Sequence, residues 1–136
     1  MRKYPSIVIY ESNEAGSNPV ANIGYSGLIG VLTGISKNGM SVGEKVMYDR
    51  TPSAYPIPPT TSYWGKPWMF VLRDTLQFAK NKDDVYNILN SVDRTAMIHL
   101  GWGSLPDRSF RGYDYAANVM YVYDDKNYTH YSEAHP

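Results

Sequence analysis

The sequence predicts an α+β protein in which helices pack on one face of a sheet. Three observations carry that expectation. An Asn38-Gly39 pair divides two apolar runs and reads as a hairpin turn. Pro67 opens a stretch with apolar residues at helical spacing, and a second such stretch follows Asn81. Short β-patterned runs lie on both sides of this helical region. The expected order is β-β-β-α-α-β-β-β, with residues 20–23 as one more strand candidate.

Residues 6–10 (Ser-Ile-Val-Ile-Tyr) read as a short buried strand, bounded by Pro5 and by the polar run 11–19. Gly24-Tyr-Ser-Gly27 reads as a turn. Residues 28–33 are apolar on both faces, as in a strand held between two layers. Residues 40–47 form the returning strand, and an Asn-Gly hairpin turn asks for positive φ at both central positions. Residues 48–66 hold Pro52, Pro56, Pro58 and Pro59 and form a long loop. Loops of this length are usually functional lids or disordered segments. The flanking elements complete one pattern, so one domain is expected, or a piece of a larger one.

Trp68, Val71, Leu72, Leu76 and Ala79 share one face of the first helix. Asn81 caps the second, with Asp83 and Asp84 in the first turn where the helix dipole favours carboxylates. Val85, Ile88, Leu89 and Val92 form its buried stripe. Residues 95–102 read as a strand, followed by a polar loop through Gly112. Residues 116–123 and 128–132 read as strands joined by a turn at 124–127.

Composition excludes several classes. The 136 residues carry 13 Lys plus Arg and 13 Asp plus Glu, which gives no basic footprint for nucleic acid. No apolar run approaches the ~20 residues of a membrane span. Met1-Arg2-Lys3-Tyr4-Pro5 has no apolar stretch behind it, so no targeting signal is read. There is no cysteine, which excludes disulfides, cysteine-bound zinc and thiol chemistry for this chain alone. The sequon Asn127-Tyr128-Thr129 locates nothing by itself. Thirteen tyrosines suit either a β-rich sheet surface or a binding groove.

Glu44 is the least expected residue. Met40, Val42, Glu44 and Val46 alternate onto one face, which puts a carboxylate in an apolar row. It is either a strand-end residue that reaches solvent or an arginine, or a site residue receiving a polar substrate group. Arg73 flanks the apolar stripe of the first helix and is a possible partner, or a snorkelling surface arginine. His99 lies in an apolar strand and reads first as a satisfied structural histidine. His130 and His135 fall on opposite faces of a strand, so a metal pair is not expected. Gly-x-Ser-x-Gly, His-Glu-x-x-His and phosphate-binding glycine loops are absent. Trp64, Trp68 and Trp102 either pack in the core or line an apolar pocket.

Three stretches carry a resemblance. They are Gly27-Leu-Ile-Gly-Val-Leu-Thr-Gly-Ile-Ser-Lys-Asn-Gly-Met-Ser-Val-Gly-Glu-Lys45, Gly65-Lys-Pro-Trp-Met-Phe-Val-Leu-Arg-Asp-Thr-Leu76, and Asp83-Asp-Val-Tyr-Asn-Ile-Leu89 leading to Gly101-Trp-Gly103. In order and spacing they resemble the acyltransferase and amidase group of N-terminal-nucleophile hydrolases. That group includes isopenicillin N acyltransferase-like proteins, acid ceramidase and the acylethanolamine amidase.

The resemblance implies a four-layer αββα sandwich, of which this chain is a part. It implies a cysteine thiol exposed by chain cleavage, which attacks a linear amide with its own α-amine as base. Backbone and asparagine donors then stabilise the oxyanion. By resemblance Glu44 matches an acidic residue near the site, and Arg73 matches the recurrent helix arginine. No catalytic residue, metal or cofactor is expected in this chain. The nucleophile would come from a partner chain or another segment, the ligand would be an acylated amine, and the parent protein would be secreted or lysosomal. An incomplete sandwich exposes edges and apolar patches, which also allows a homo-oligomer. Two other readings stand beside this one. One is a non-catalytic binding or interaction domain that uses its Tyr- and Trp-rich surface. The other is an unrelated soluble α+β domain.

Overall fold

A computed structural model describes residues 4–46, 61–124 and 126. The strands are β1 (Pro5–Tyr10), β2 (Val20–Tyr25), β3 (Thr33–Ser36), β4 (Met40–Val46), β5 (Ile98–Ser104), β6 (Ser109–Tyr115) and β7 (Met120–Tyr123). The helices α1 (Trp68–Phe78) and α2 (Lys82–Asn90) fall between β4 and β5. Among the described residues this is an α+β arrangement with four strands before the helices, one more than the expected order counts. The extra strand is β2, the segment left open in the sequence.

The seven strands lie side by side in chain order, each antiparallel to its neighbours. Antiparallel neighbours need only short turns. The one long connection, from β4 to β5, carries both helices back across the same sheet face. That face holds the core. Val20, Met40, Val42, Ile98, Leu100 and Tyr113 from the sheet meet Val71, Leu72, Leu76, Val85 and Leu89 from the helices. Each fully buried Leu or Val contributes roughly 1.5–3 kcal/mol relative to exposure.

Both helices begin and face the core as the sequence indicates. Pro67, with φ −55°, precedes α1, and Val71, Leu72, Thr75 and Leu76 are its buried residues. The Asn81 side chain accepts hydrogen bonds from the backbone N–H groups of Asp83 and Asp84, both at 2.9 Å. Two of the orphan donors of the first turn are thereby satisfied. At its start α2 is tied to the β5–β6 turn and to β6. The Lys82 N–H donates to Asp107 at 2.7 Å, and Arg111 Nη1 donates to Asp83 at 3.0 Å.

Several boundaries differ from expectation. Residues 28–32 are not a strand. Gly30 has φ +101°, and a Cβ there would stand 2.9 Å from the Met69 carbonyl oxygen. The chain turns under α1 at this point, where the Val31 N–H donates to that carbonyl at 2.9 Å and Asn22 Nδ2 donates to Gly30 O at 2.8 Å. Burial of Val31 under the helix, not between two layers, explains the apolar run.

The 36–40 turn also has a different geometry. Gly39 alone has positive φ (+88°), and its N–H donates to Ser36 O at 3.0 Å. This is a three-residue loop ending in a left-handed glycine, the next commonest hairpin after the two-residue form. Residues 109–112 belong to β6 and not to a loop, and residues 116–119 are the turn into β7 and not a strand. The expected strand at 128–132 and the bulk of the 48–66 loop lie outside the described residues, as do His130, His135 and the sequon.

Candidate functional site

Alternation along the ladders separates two faces. Lys45 pairs with His99, Gly43 with Gly101 and Ser41 with Gly103 on the face away from the helices. Across β5 and β6 the same face continues through His99–Asp114, Gly101–Gly112 and Gly103–Phe110. On β1 to β3 it carries Ile7, Ile9, Ile23 and Ile35, exposed by 48–69 %. The described elements leave this face open.

Its middle is a trough of about 550 Å³, lined by Thr33, Ile35, Gly43, His99, Gly101 and Phe110 among others. Glycines on adjacent strands make the floor, because they leave the backbone uncovered. A Cβ at Gly43 would meet nothing within 4 Å, while one at Gly101 would stand 2.8 Å from the Phe110 ring. The Phe110 ring therefore lies over Gly101.

One end of the trough is polar. His99 Nδ1 lies 2.7 Å from Asp114 Oδ1, and Tyr123 Oη donates to Asp114 Oδ2 at 2.5 Å. Asp114 is 5 % exposed, so its carboxylate is taken out of water only because both oxygens are bonded. The His99 and Tyr123 rings lie 6.3 Å apart. The His99 side chain remains 35 % exposed. The expectation of a satisfied histidine holds for Nδ1. Asp114 and Tyr123 were not singled out from the sequence, since the polar run through 112 concealed the strand that carries the aspartate.

Glu44 is on the other face. It stands opposite Leu100, in the row with Val42 and Trp102, so the alternation read from the sequence is correct. It lies at the open end of the core, where its Oε2 is buried without a hydrogen-bond partner among the described residues. Burial pushes its carboxyl above the usual value, and the neighbouring Lys45 charge partly opposes this.

Arg73 does not meet Glu44. Among the described residues its ion pair is with Asp74, at 3.7 Å, and its guanidinium lies 5.6 Å from the centre of the Phe70 ring. The partnership considered in the sequence is thus replaced by contacts within α1, one turn or less away. Arg73 Nε is itself buried and unpartnered, so both residues retain an unused polar atom.

The tryptophans divide. Trp102 is buried in the core, Trp68 packs against it, and Trp64 is exposed. Among the described residues no group of three or more metal-ligating side chains occurs, and no helix is long and apolar enough to cross a membrane.

Comparison with solved structures gives the class of fold. The chain superposes on the Caenorhabditis elegans ortholog of N-acylethanolamine-hydrolyzing acid amidase with a TM-score of 0.58 and 13 % identity, over 90 % of this chain and 52 % of that one. It matches a variant of conjugated bile acid hydrolase from Clostridium perfringens with the same TM-score, 0.58, at 12 % identity, over 90 % of this chain and 44 % of that one. At this identity the likeness to these two hydrolases is one of fold, which is N-terminal-nucleophile-hydrolase-like.

By sequence, the chain is 30 % identical over 145 residues to Protein dcd1A of Dictyostelium discoideum, across all of this chain and 31 % of that protein. It is 28 % identical over 123 residues to Protein dcd1B of the same organism, across 90 % of this chain and 23 % of that protein. The chain spans less than a third of the length of these relatives. No protein-family model matches it.

Proposed function

We propose that this chain supplies one half of a layered amide-hydrolase sandwich and one wall of its site. The partner layer and the cysteine nucleophile would come from another segment or another chain. The observation that carries the reading is the open sheet face. A row of exposed isoleucines and a glycine-floored trough lie back to back with a fully packed helical layer. A sheet with apolar residues on both faces is built to be covered on both. The likeness to two amide hydrolases, each about twice this chain's covered length, supports the same reading.

In this reading the substrate class is a linear amide of an acylated amine. Glu44, on the helix side of β4, and Arg73, on α1, each bind polar groups of it separately and not as a pair, and their unpartnered buried atoms support that role. A buried donor and a buried acceptor left unbonded each cost about 1–3 kcal/mol, a cost that a ligand's polar groups can relieve. The sequence contains no cysteine, so in this reading the chain alone does not hydrolyse amides.

The test has two arms. A longer reading frame or a partner chain should carry a cysteine ahead of a strand. Together with it, release of the amine from an N-acyl aminocoumarin should fall about tenfold or more in Glu44→Gln or Arg73→Ala. Cysteine-independent hydrolysis of that amide by the purified chain overturns the proposal, as does a gene without any such cysteine.

A further inference from the structure

The geometry of the open face points to a second chemical site, which uses His99 and needs no cysteine. We infer that His99 is a nucleophilic base for acyl esters or thioesters whose leaving group departs as an anion, with the acyl chain lying along Phe110 and over Gly43. The inference does not rest on the amide-hydrolase reading.

The argument starts from the tautomer. A carboxylate bonded to Nδ1 holds the imidazole proton on that nitrogen. The neutral ring then presents Nε2 as a bare lone pair. The hydrogen bond of His99 to Asp114 is made through Nδ1, so Nε2 is the ring nitrogen left to act on a ligand. Asp114 is itself fixed by Tyr123 Oη on its second oxygen, at 2.5 Å. The ring is thereby oriented, and a buried carboxylate stands ready to stabilise positive charge on it.

The acyl subsite follows from register. On one strand face His99 and Gly101 are consecutive, about 7 Å apart. The Phe110 ring lies over Gly101 and remains 62 % exposed. Gly43, opposite Gly101 on β4, leaves open space where a side chain would otherwise stand. An apolar wall and an unfilled floor therefore adjoin an oriented imidazole.

The step balances without a further reactant except water. Nε2 attacks the carbonyl carbon, a new N–C bond forms, and the bond to the leaving oxygen or sulfur breaks with its electron pair. The acyl-imidazolium carries one positive charge beside Asp114. Water adds to the acyl carbon, the N–C bond breaks, the electron pair returns to Nε2, and a proton is released to the medium. A linear amide does not react this way, because its amine must be protonated in order to leave.

The experiment is hydrolysis of p-nitrophenyl octanoate and p-nitrophenyl acetate by the purified chain. His99→Gln should lower kcat/KM for the octanoate by about tenfold or more. Asp114→Asn should lower kcat with KM nearly kept, because it disturbs the ring and not the acyl subsite. Gly43→Val should raise KM for the octanoate about fivefold more than for the acetate. Unchanged turnover in folded His99→Gln overturns the inference. Should His99→Gln not fold, mapping of diethyl pyrocarbonate adducts on the wild type decides. His99 modified faster than N-acetylhistidine supports the site, and slower modification refutes it. Failure here leaves the amide reading standing, since that reading calls on neither His99 nor aryl esters.

Discussion

Glu44 stands directly across the β4–β5 ladder from Leu100, a carboxylate in line with a fully buried leucine. That relation places an ionisable group where burial disfavours its charge. The folded carboxyl titrates above its unfolded value because burial disfavours its charge. A raised acid binds more protons in the folded state than in the unfolded state. Stability therefore falls as pH rises from the unfolded value through the folded one. Glu44→Gln should remove this slope and leave the protein as stable or up to about 1 kcal/mol more stable at neutral pH. Urea melts of both proteins across the acid range are the check.

Asp107 gives the opposite sign. Hydrogen bonds from Ser104 Oγ and the Lys82 N–H hold its carboxyl below the usual value. Its contribution is full above the unfolded value and is lost as pH falls through the folded one. Asp107→Asn should flatten the acid limb of the stability curve, and the same melts report it.

Asn81→Ala removes the acceptor of two N–H groups at the start of α2. The expected cost is about 1 kcal/mol. Asn81→Ser should recover the larger part of it, since serine also caps. Thermal unfolding followed by far-ultraviolet circular dichroism measures both.

Gly30→Ala tests the close approach of the 28–32 segment to α1. The substitution meets a positive φ and a backbone oxygen 2.9 Å away, which cannot give way as a flexible side chain does. A loss of about 2 kcal/mol or more is expected in chemical denaturation. A change below about 0.5 kcal/mol, the range for ordinary surface substitutions, contradicts the packing described.

Much of this fold was legible in the sequence. Asn81 with Asp83 and Asp84, the α1 stripe and the face of Glu44 depend on local spacing, which a sequence displays directly. Residues 28–32 misled because an apolar run looks alike whether it lies between layers or beneath a helix; only the φ of Gly30 separates them. β6 was missed because Gly112 and Asp114 are of types depleted in strands. Their place is fixed by pairing with β5, a tertiary fact. The His99–Asp114 pair was hidden for the same reason. Its two residues meet only once the turn at 105–108 sets the register. Arg73 was open to two readings, since helix-face position says nothing about whether Asp74 or Glu44 is within reach.

The open face carries the central claim, and its coverage can be measured directly. Hydroxyl-radical footprinting should be run on the purified chain and on the protein isolated from the organism that makes it, in its natural assembly. The account predicts that Ile7, Ile9, Ile23 and Ile35 label freely in the purified chain and about fivefold less in the natural assembly, where a second layer covers them. Equal labelling of these four isoleucines in both samples would mean that the face stays open, and the sandwich reading would fall with it.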